Sequence, residues 1–208
     1  VLSQPGAHEL AGMPGRGSSP AALSLFMMMA QGRSFSGREP NCAFLNTGGP
    51  RFADVSAATG LNFPDDARAL GVVDWDLDGD LDLWLVNRSG PQVRLLRNDL
   101  PHGNAWVAFS LVGTKDARDA IGARVEVVAG GRRLVRGLRA GDGFLSQSSK
   151  WVHVGLGRAA AIERVSVRWP CGEREEFRGA APGARWRLVQ GSGIAQAWTP
   201  PARTVALV

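Results

Sequence analysis

The sequence predicts a mainly β protein, in which a β-hairpin unit packs on a seven-stranded antiparallel β-sandwich and a short helix precedes both. Three observations carry this prediction. The 208 residues include 27 Gly and 12 Pro, which suits short strands joined by tight turns better than a helical bundle. Apolar residues recur with a period of two. Val152, Val154 and Leu156 face one way, and Val165, Val167 and Trp169 do likewise while Arg164, Ser166 and Arg168 face the other. Between such runs stand turn signals at Gly130-Gly131, Gly141-Asp142-Gly143 and Pro170-Cys171-Gly172.

Taken in order, residues 1–38 read as a tail with one helix. Ala21 to Ala30 is an apolar run with Ser19 and Pro20 placed as N-cap and first helical residue. Ten residues are too few for a bilayer, which needs about 20. No A-x-A cleavage pattern follows, so a buried helix is favoured over a secretion signal. Residues 39–103 form the first β unit. In it, Asn41 to Gly49 and Arg51 to Val55 read as a hairpin, and Val93 to Asp99 echoes the Phe44-Leu45-Asn46 element. Residues 104–191 supply the sandwich, with strands expected at 106–111, 123–129, 132–139, 151–156, 162–169, 173–177 and 186–189. Residues 192–208 read as a C-terminal tail.

The densest chemistry lies at Asp74-Trp75-Asp76-Leu77-Asp78-Gly79-Asp80-Leu81-Asp82, five carboxylates in nine residues. Two like charges about 4 Å apart repel by roughly 4 kcal/mol at an effective dielectric near 20. An ordered loop of this kind therefore calls for a cation. Side-chain oxygens of Asp74, Asp76, Asp78 and Asp82, with the Asp80 carbonyl and water, meet the roughly six to eight hard oxygens that Ca2+ takes, with Gly79 at the bend. An EF-hand requires Glu at loop position 12, and that position is Leu85. Leu81, Leu83 and Leu85 alternate instead, which makes the exit a strand and the whole a hairpin whose connection wraps the ion. This arrangement resembles the FG-GAP repeat of integrin α-chain propellers. One repeat cannot close a ring of about four to eight blades.

A second resemblance covers residues 104–190. Leu111-Val112-Gly113-Thr114, Arg118 to Val125, Gly141 to Gln147, His153 to Gly157 and Val167 to Gly172 stand in the order found in the ASPIC/UnbV domain. The chain is thus similar to the cartilage acidic protein-like family, in which that domain follows FG-GAP repeats. The resemblance implies a secreted or cell-surface, calcium-stabilised interaction module and no known reaction. Cys171 replaces the small residue usual after Trp-Pro.

Charge is uneven. Residues 1–99 hold eight Arg against 11 acidic groups, and residues 100–208 hold 16 cations against eight, within a net +5. No basic run with interleaved aromatics points to nucleic acid, so no specific nucleic-acid partner is expected, and a protein or glycan partner stays unidentified. Cys42 and Cys171 form no CxxC pair and leave both a disulfide and two free thiols open. His8, His102 and His153 are the only histidines. His153 lies mid-strand, where a structural role is favoured, and no triad can be assembled around Ser146, Ser148 or Ser149. No enzymatic activity is expected. Asp116, Asp119 and Asp142 read either as surface turn residues or as a weaker cation or glycan site. Were the chain instead an accessory domain of an enzyme acting on carbohydrate, Asp142, Phe144 and Gln147 would touch the substrate; a third reading is a purely structural piece of a larger propeller protein.

Overall fold

The computed structural model describes residues 19–31, 40–88, 90–100, 103–115 and 117–201. Within them lie one helix, α1 (Pro20–Ala30), and thirteen strands, and the fold is mainly β. Proline opens the helix as expected, since its fixed φ suits the first helical position and its missing N–H has no partner to lose there. The described side chains of α1 are exposed or half-buried, Met27 by 55%, so the expectation of a buried helix is not met among them. Among the described residues no helix is long and apolar enough to cross a membrane.

The chain divides into two compact units, residues 1–68 with 86–93, and residues 69–85 with 94–208. In the first unit β1 (Phe44–Asn46) and β2 (Phe52–Asp54) form the expected antiparallel hairpin, with Phe44 opposite Asp54. Ser56 fixes the exit from β2. Its hydroxyl accepts from the Ala43 N–H at 2.8 Å and donates to Asp54 at 2.5 Å. This bond, with a second from the Ser56 N–H, holds the Asp54 carboxyl below the usual range. Ser56 is 8% exposed. Removal of its hydroxyl leaves the half-buried Ala43 N–H without this partner, so Ser56→Ala is expected to cost about 1 kcal/mol in urea unfolding.

β3 (Ala67–Val73), β4 (Asp82–Asn87) and β5 (Val93–Leu96) make a three-stranded sheet in that order. The acidic run is the connection between β3 and β4. The remaining strands, β6 (Ala105–Val112), β7 (Arg124–Ala129), β8 (Arg132–Gly137), β9 (Val152–Gly157), β10 (Arg164–Arg168), β11 (Arg174–Phe177), β12 (Ala184–Val189) and β13 (Ala195–Trp198), form two four-stranded sheets. Their orders are β11-β10-β7-β8 and β13-β12-β6-β9. Alternate residues from both sheets meet in one core. Phe109, Val125, Val127, Val154, Val167, Trp169 and Leu188 in this core are at most 1% exposed. Trp169 is core, as expected, its indole N–H donating to Glu175 at 3.0 Å and its ring edge-on to Phe177.

Two features depart from the predicted seven-stranded antiparallel sandwich. There are eight strands, because Ala195 to Trp198, read as tail, pairs with β12. A four-residue Ala-Gln-Ala-Trp segment has little strand propensity of its own and is held by its neighbour. The pairing of β12 with β6 is parallel. Alternation reveals which face is buried but not which way a strand distant in sequence runs beside another.

Candidate functional site

The acidic connection belongs to the second unit, and its shape follows from its own hydrogen bonds. Asp74 Oδ2 accepts the Gly79 N–H at 3.0 Å, Asp76 Oδ1 the Asp78 N–H at 3.3 Å, and Asp78 Oδ1 the Asp80 N–H at 2.8 Å. Short carboxylates that bond the backbone two residues on produce this kind of tight winding. Leu77 and Gly79 take positive φ, 68° and 106°. Gly79 is required twice over, since a Cβ there would lie 2.0 Å from the Trp106 indole nitrogen.

The winding draws three of the predicted residues together. Carboxylate oxygens of Asp74, Asp76 and Asp78 lie within 4.8 Å of one another. Asp82 has a different position from the one expected. It is 1% exposed, and its two oxygens accept the Trp75 and Asn98 N–H groups, each at 2.8 Å. That carboxylate closes the connection and ties it to the chain beyond β5, using charge-assisted bonds. Asp80, assigned through its carbonyl, is not in the three-carboxylate group.

The loop is clasped by the outer face of sheet β13-β12-β6-β9. In one row across that sheet, Trp198 is opposite Arg185, Arg185 opposite Ala108, and Ala108 opposite His153. Arg185 pairs with Asp74 Oδ2 and donates to the Leu77 carbonyl at 3.2 Å, and its guanidinium lies 5.1 Å from the Trp106 ring centre. His153 Nε2 is 2.8 Å from the Gly79 carbonyl. Because a carbonyl only accepts, that nitrogen carries the proton. The His153 ring stacks on Trp106 at 5.6 Å, and Ala108, small enough to sit beneath the loop, is 2% exposed. Sequence reading assigned His153 a structural role but not this partner, and it missed Arg185 and Trp106.

Desolvation raises the Asp74 carboxyl above its ordinary range, against the opposing pull of Arg185. Its Oδ1 is buried and makes no hydrogen bond among the described residues. An orphaned carboxylate oxygen beside two further carboxylates could hold a hard cation.

Beside the loop lies a cavity of about 780 Å3, lined among others by Trp75, Trp151, Trp198, Arg136, Asp142 and Ser148. Trp151 and Trp198 have ring centres 4.9 Å apart. Of the loop residues expected to touch a glycan, Asp142 lines this cavity; Phe144 and Gln147 do not. Asp142 lies 3.5 Å from Arg139, and Asp119 pairs with Lys150 at 2.5 Å. Asp116, His8 and His102 lie outside the described residues. Cys42 and Cys171 are both exposed, and neither is in a disulfide.

These observations define a two-sheet β domain with an acidic loop clasped on one outer face. Residues 113–195 of the chain match the ASPIC and UnbV family model. His153 and Arg185 fall inside that match; Trp106 and the acidic loop precede it. No curated protein matches the chain.

Proposed function

We propose that Asp74, Asp76 and Asp78 hold a calcium ion in an FG-GAP-like connection, and that the chain is a non-enzymatic, calcium-stabilised binding module of the cell exterior. The observation that carries this reading is the buried Asp74 Oδ1, unpartnered among the described residues, on a carboxylate whose group also gathers an oxygen of Asp76 and one of Asp78 within 4.8 Å. The cation supplies positive charge to a mutually repelling group, and the remaining loop residues act on shape. Asp82 and Gly79 set the winding, and Arg185 and His153 fasten it to the sheet. Adhesion through the surrounding surface accords with the ASPIC and UnbV match of residues 113–195. A second reading, an accessory carbohydrate-binding domain, is favoured by the tryptophan-lined cavity.

Calorimetric titration of the chelator-treated protein with CaCl2, paired with melting curves, tests the proposal. One principal site is expected. At a hundredfold excess over its Kd, occupancy adds about 2.7 kcal/mol of stability, or roughly 5 to 10 °C in Tm for a chain of this size. Asp76→Ala and Asp78→Ala are expected to abolish the heat and the shift. An unchanged Tm would remove the calcium reading.

The pH dependence has a definite sign. A carboxyl raised in the native state binds protons there more tightly than in the unfolded chain. Without cation, Asp74 therefore costs stability as pH rises from the ordinary Asp pKa through the raised one. A proton on Asp74 competes with the cation, so calcium affinity is expected to fall as pH drops through the raised pKa toward the ordinary Asp range. An affinity that stays flat down to that range contradicts ligation by Asp74.

A further inference from the structure

The outer face of the other sheet, β11-β10-β7-β8, carries an arrangement of charge that its own contacts leave uncompensated. Arg168 of β10 lies directly opposite Arg124 of β7 on one side and Arg174 of β11 on the other. All three are exposed, and none makes an ion pair or hydrogen bond among the described residues. Neighbouring strands are roughly 4.8 Å apart, so three arginines are cross-strand neighbours in one row, a placement of like charge that destabilises a sheet when nothing offsets it.

The next row does not offset it. Glu126, the nearest acid on β7, already receives Arg133 at 2.7 Å and Arg164 at 3.1 Å. Glu176, opposite Ser166, is the remaining acid among the outward-facing residues of these strands. Between the rows is a concavity of about 90 Å3 lined by Arg124, Glu126, Arg133, Ser166, Arg168 and Arg174.

We propose that this arginine row is a binding site for sulfate-bearing polysaccharide, with Arg124, Arg168 and Arg174 each engaging a sulfate ester. Guanidinium groups bind tetrahedral oxyanions bidentately, and a row of three meets successive anionic groups of a chain laid across the strands. Phosphate esters share this chemistry. The same face, however, presents Arg, Glu, Ser, Val and Gly, with no aromatic side chain on which an unpaired base could stack. A sulfated polysaccharide needs no such platform. The site is independent of the acidic loop, so it stands or falls separately from calcium binding.

A size-defined heparin oligosaccharide, titrated calorimetrically at low ionic strength with chelator present, tests the assignment. The wild type is expected to bind and the triple variant R124Q/R168Q/R174Q to lose on the order of tenfold to hundredfold in affinity. The charge-matched R118Q/R158Q/R187Q variant, which alters exposed arginines outside both this row and the tryptophan-lined cavity, should bind within a few-fold of wild type. Because the row repels itself, the R124Q/R168Q/R174Q protein is expected to melt at or above the wild-type temperature, which separates lost binding from lost folding. Equal affinity in wild type and that variant overturns the proposal, as does equal loss in the control variant. Desulfated heparin competing as well as the sulfated form also overturns it. Tighter binding of single-stranded DNA of the same length assigns the row to nucleic acid instead.

Discussion

Gly79→Ala is expected to destabilise the second unit by on the order of 4 kcal/mol, because two independent penalties fall on one methyl group. At φ 106° the backbone of Gly79 lies where an L side chain is strained, at about 1 to 3 kcal/mol. The added Cβ would also overlap the Trp106 indole, whose nitrogen, Cε2 and Cζ2 stand at 2.0, 2.1 and 2.5 Å from it. Trp106 cannot simply swing aside. Its other neighbours are the His153 ring and the Arg185 guanidinium, and both in turn hold loop carbonyls. Relief of the overlap therefore unfastens the loop, with a further overpacking cost of about 1 to 3 kcal/mol. Urea unfolding of Gly79→Ala, Trp106→Ala and the double variant separates the two. Trp106→Ala removes the overlap but not the φ strain, so the glycine substitution should cost about half as much in that background. A Gly79→Ala protein within about 0.5 kcal/mol of wild type would show that this contact does not hold the loop.

That contact also marks the limit of what the sequence reveals. The winding of Asp74 to Asp82 is legible because it is local, the carboxylates of Asp74, Asp76, Asp78 and Asp82 each bonding a backbone N–H two to seven residues away. The hairpin of β1 and β2 and most strands of the two sheets are legible for the same reason, through turn glycines and alternation. The clasp is not. Arg185 and Asp74 are 111 residues apart, and His153 and Gly79 are 74 apart. Alternation in β12 places Arg185 on the face opposite Leu188, which reads as solvent, whereas the loop covers it and leaves it 7% exposed. Ala108 gave a faint clue, a small residue between Val107 and Phe109 where an outward position usually carries a polar one. The role of Asp82 was hidden differently. Spacing within the acidic run identifies a carboxylate, but not that two N–H groups from separate segments reach it first.

Arg185→Ala is expected to cost about 3 to 5 kcal/mol, the range for removing one partner of a buried ion pair. Arg185 and Asp74 are 7% and 10% exposed at their side chains. Asp74 Oδ1 already has no partner among the described residues, so loss of the guanidinium leaves a carboxylate with little besides the Gly79 N–H to hold its charge. The Leu77 carbonyl loses its donor at the same time, at a residue whose φ of 68° needs support from its surroundings. A double-mutant cycle with Asp74→Asn distinguishes the pair from the packing of the long Arg stem. If charge compensation dominates, Arg185→Ala costs far less in the Asp74→Asn background than in the wild type, with a coupling of about 2 to 3 kcal/mol. If the stem on Trp106 dominates, the two costs add. Calcium gives an independent check on the same charge: a cation held by Asp74 offsets part of what Arg185 provided, so the Arg185→Ala deficit should shrink in excess CaCl2 relative to chelator. A deficit unchanged by calcium, together with additivity in the cycle, would mean that Arg185 supports the loop by shape alone.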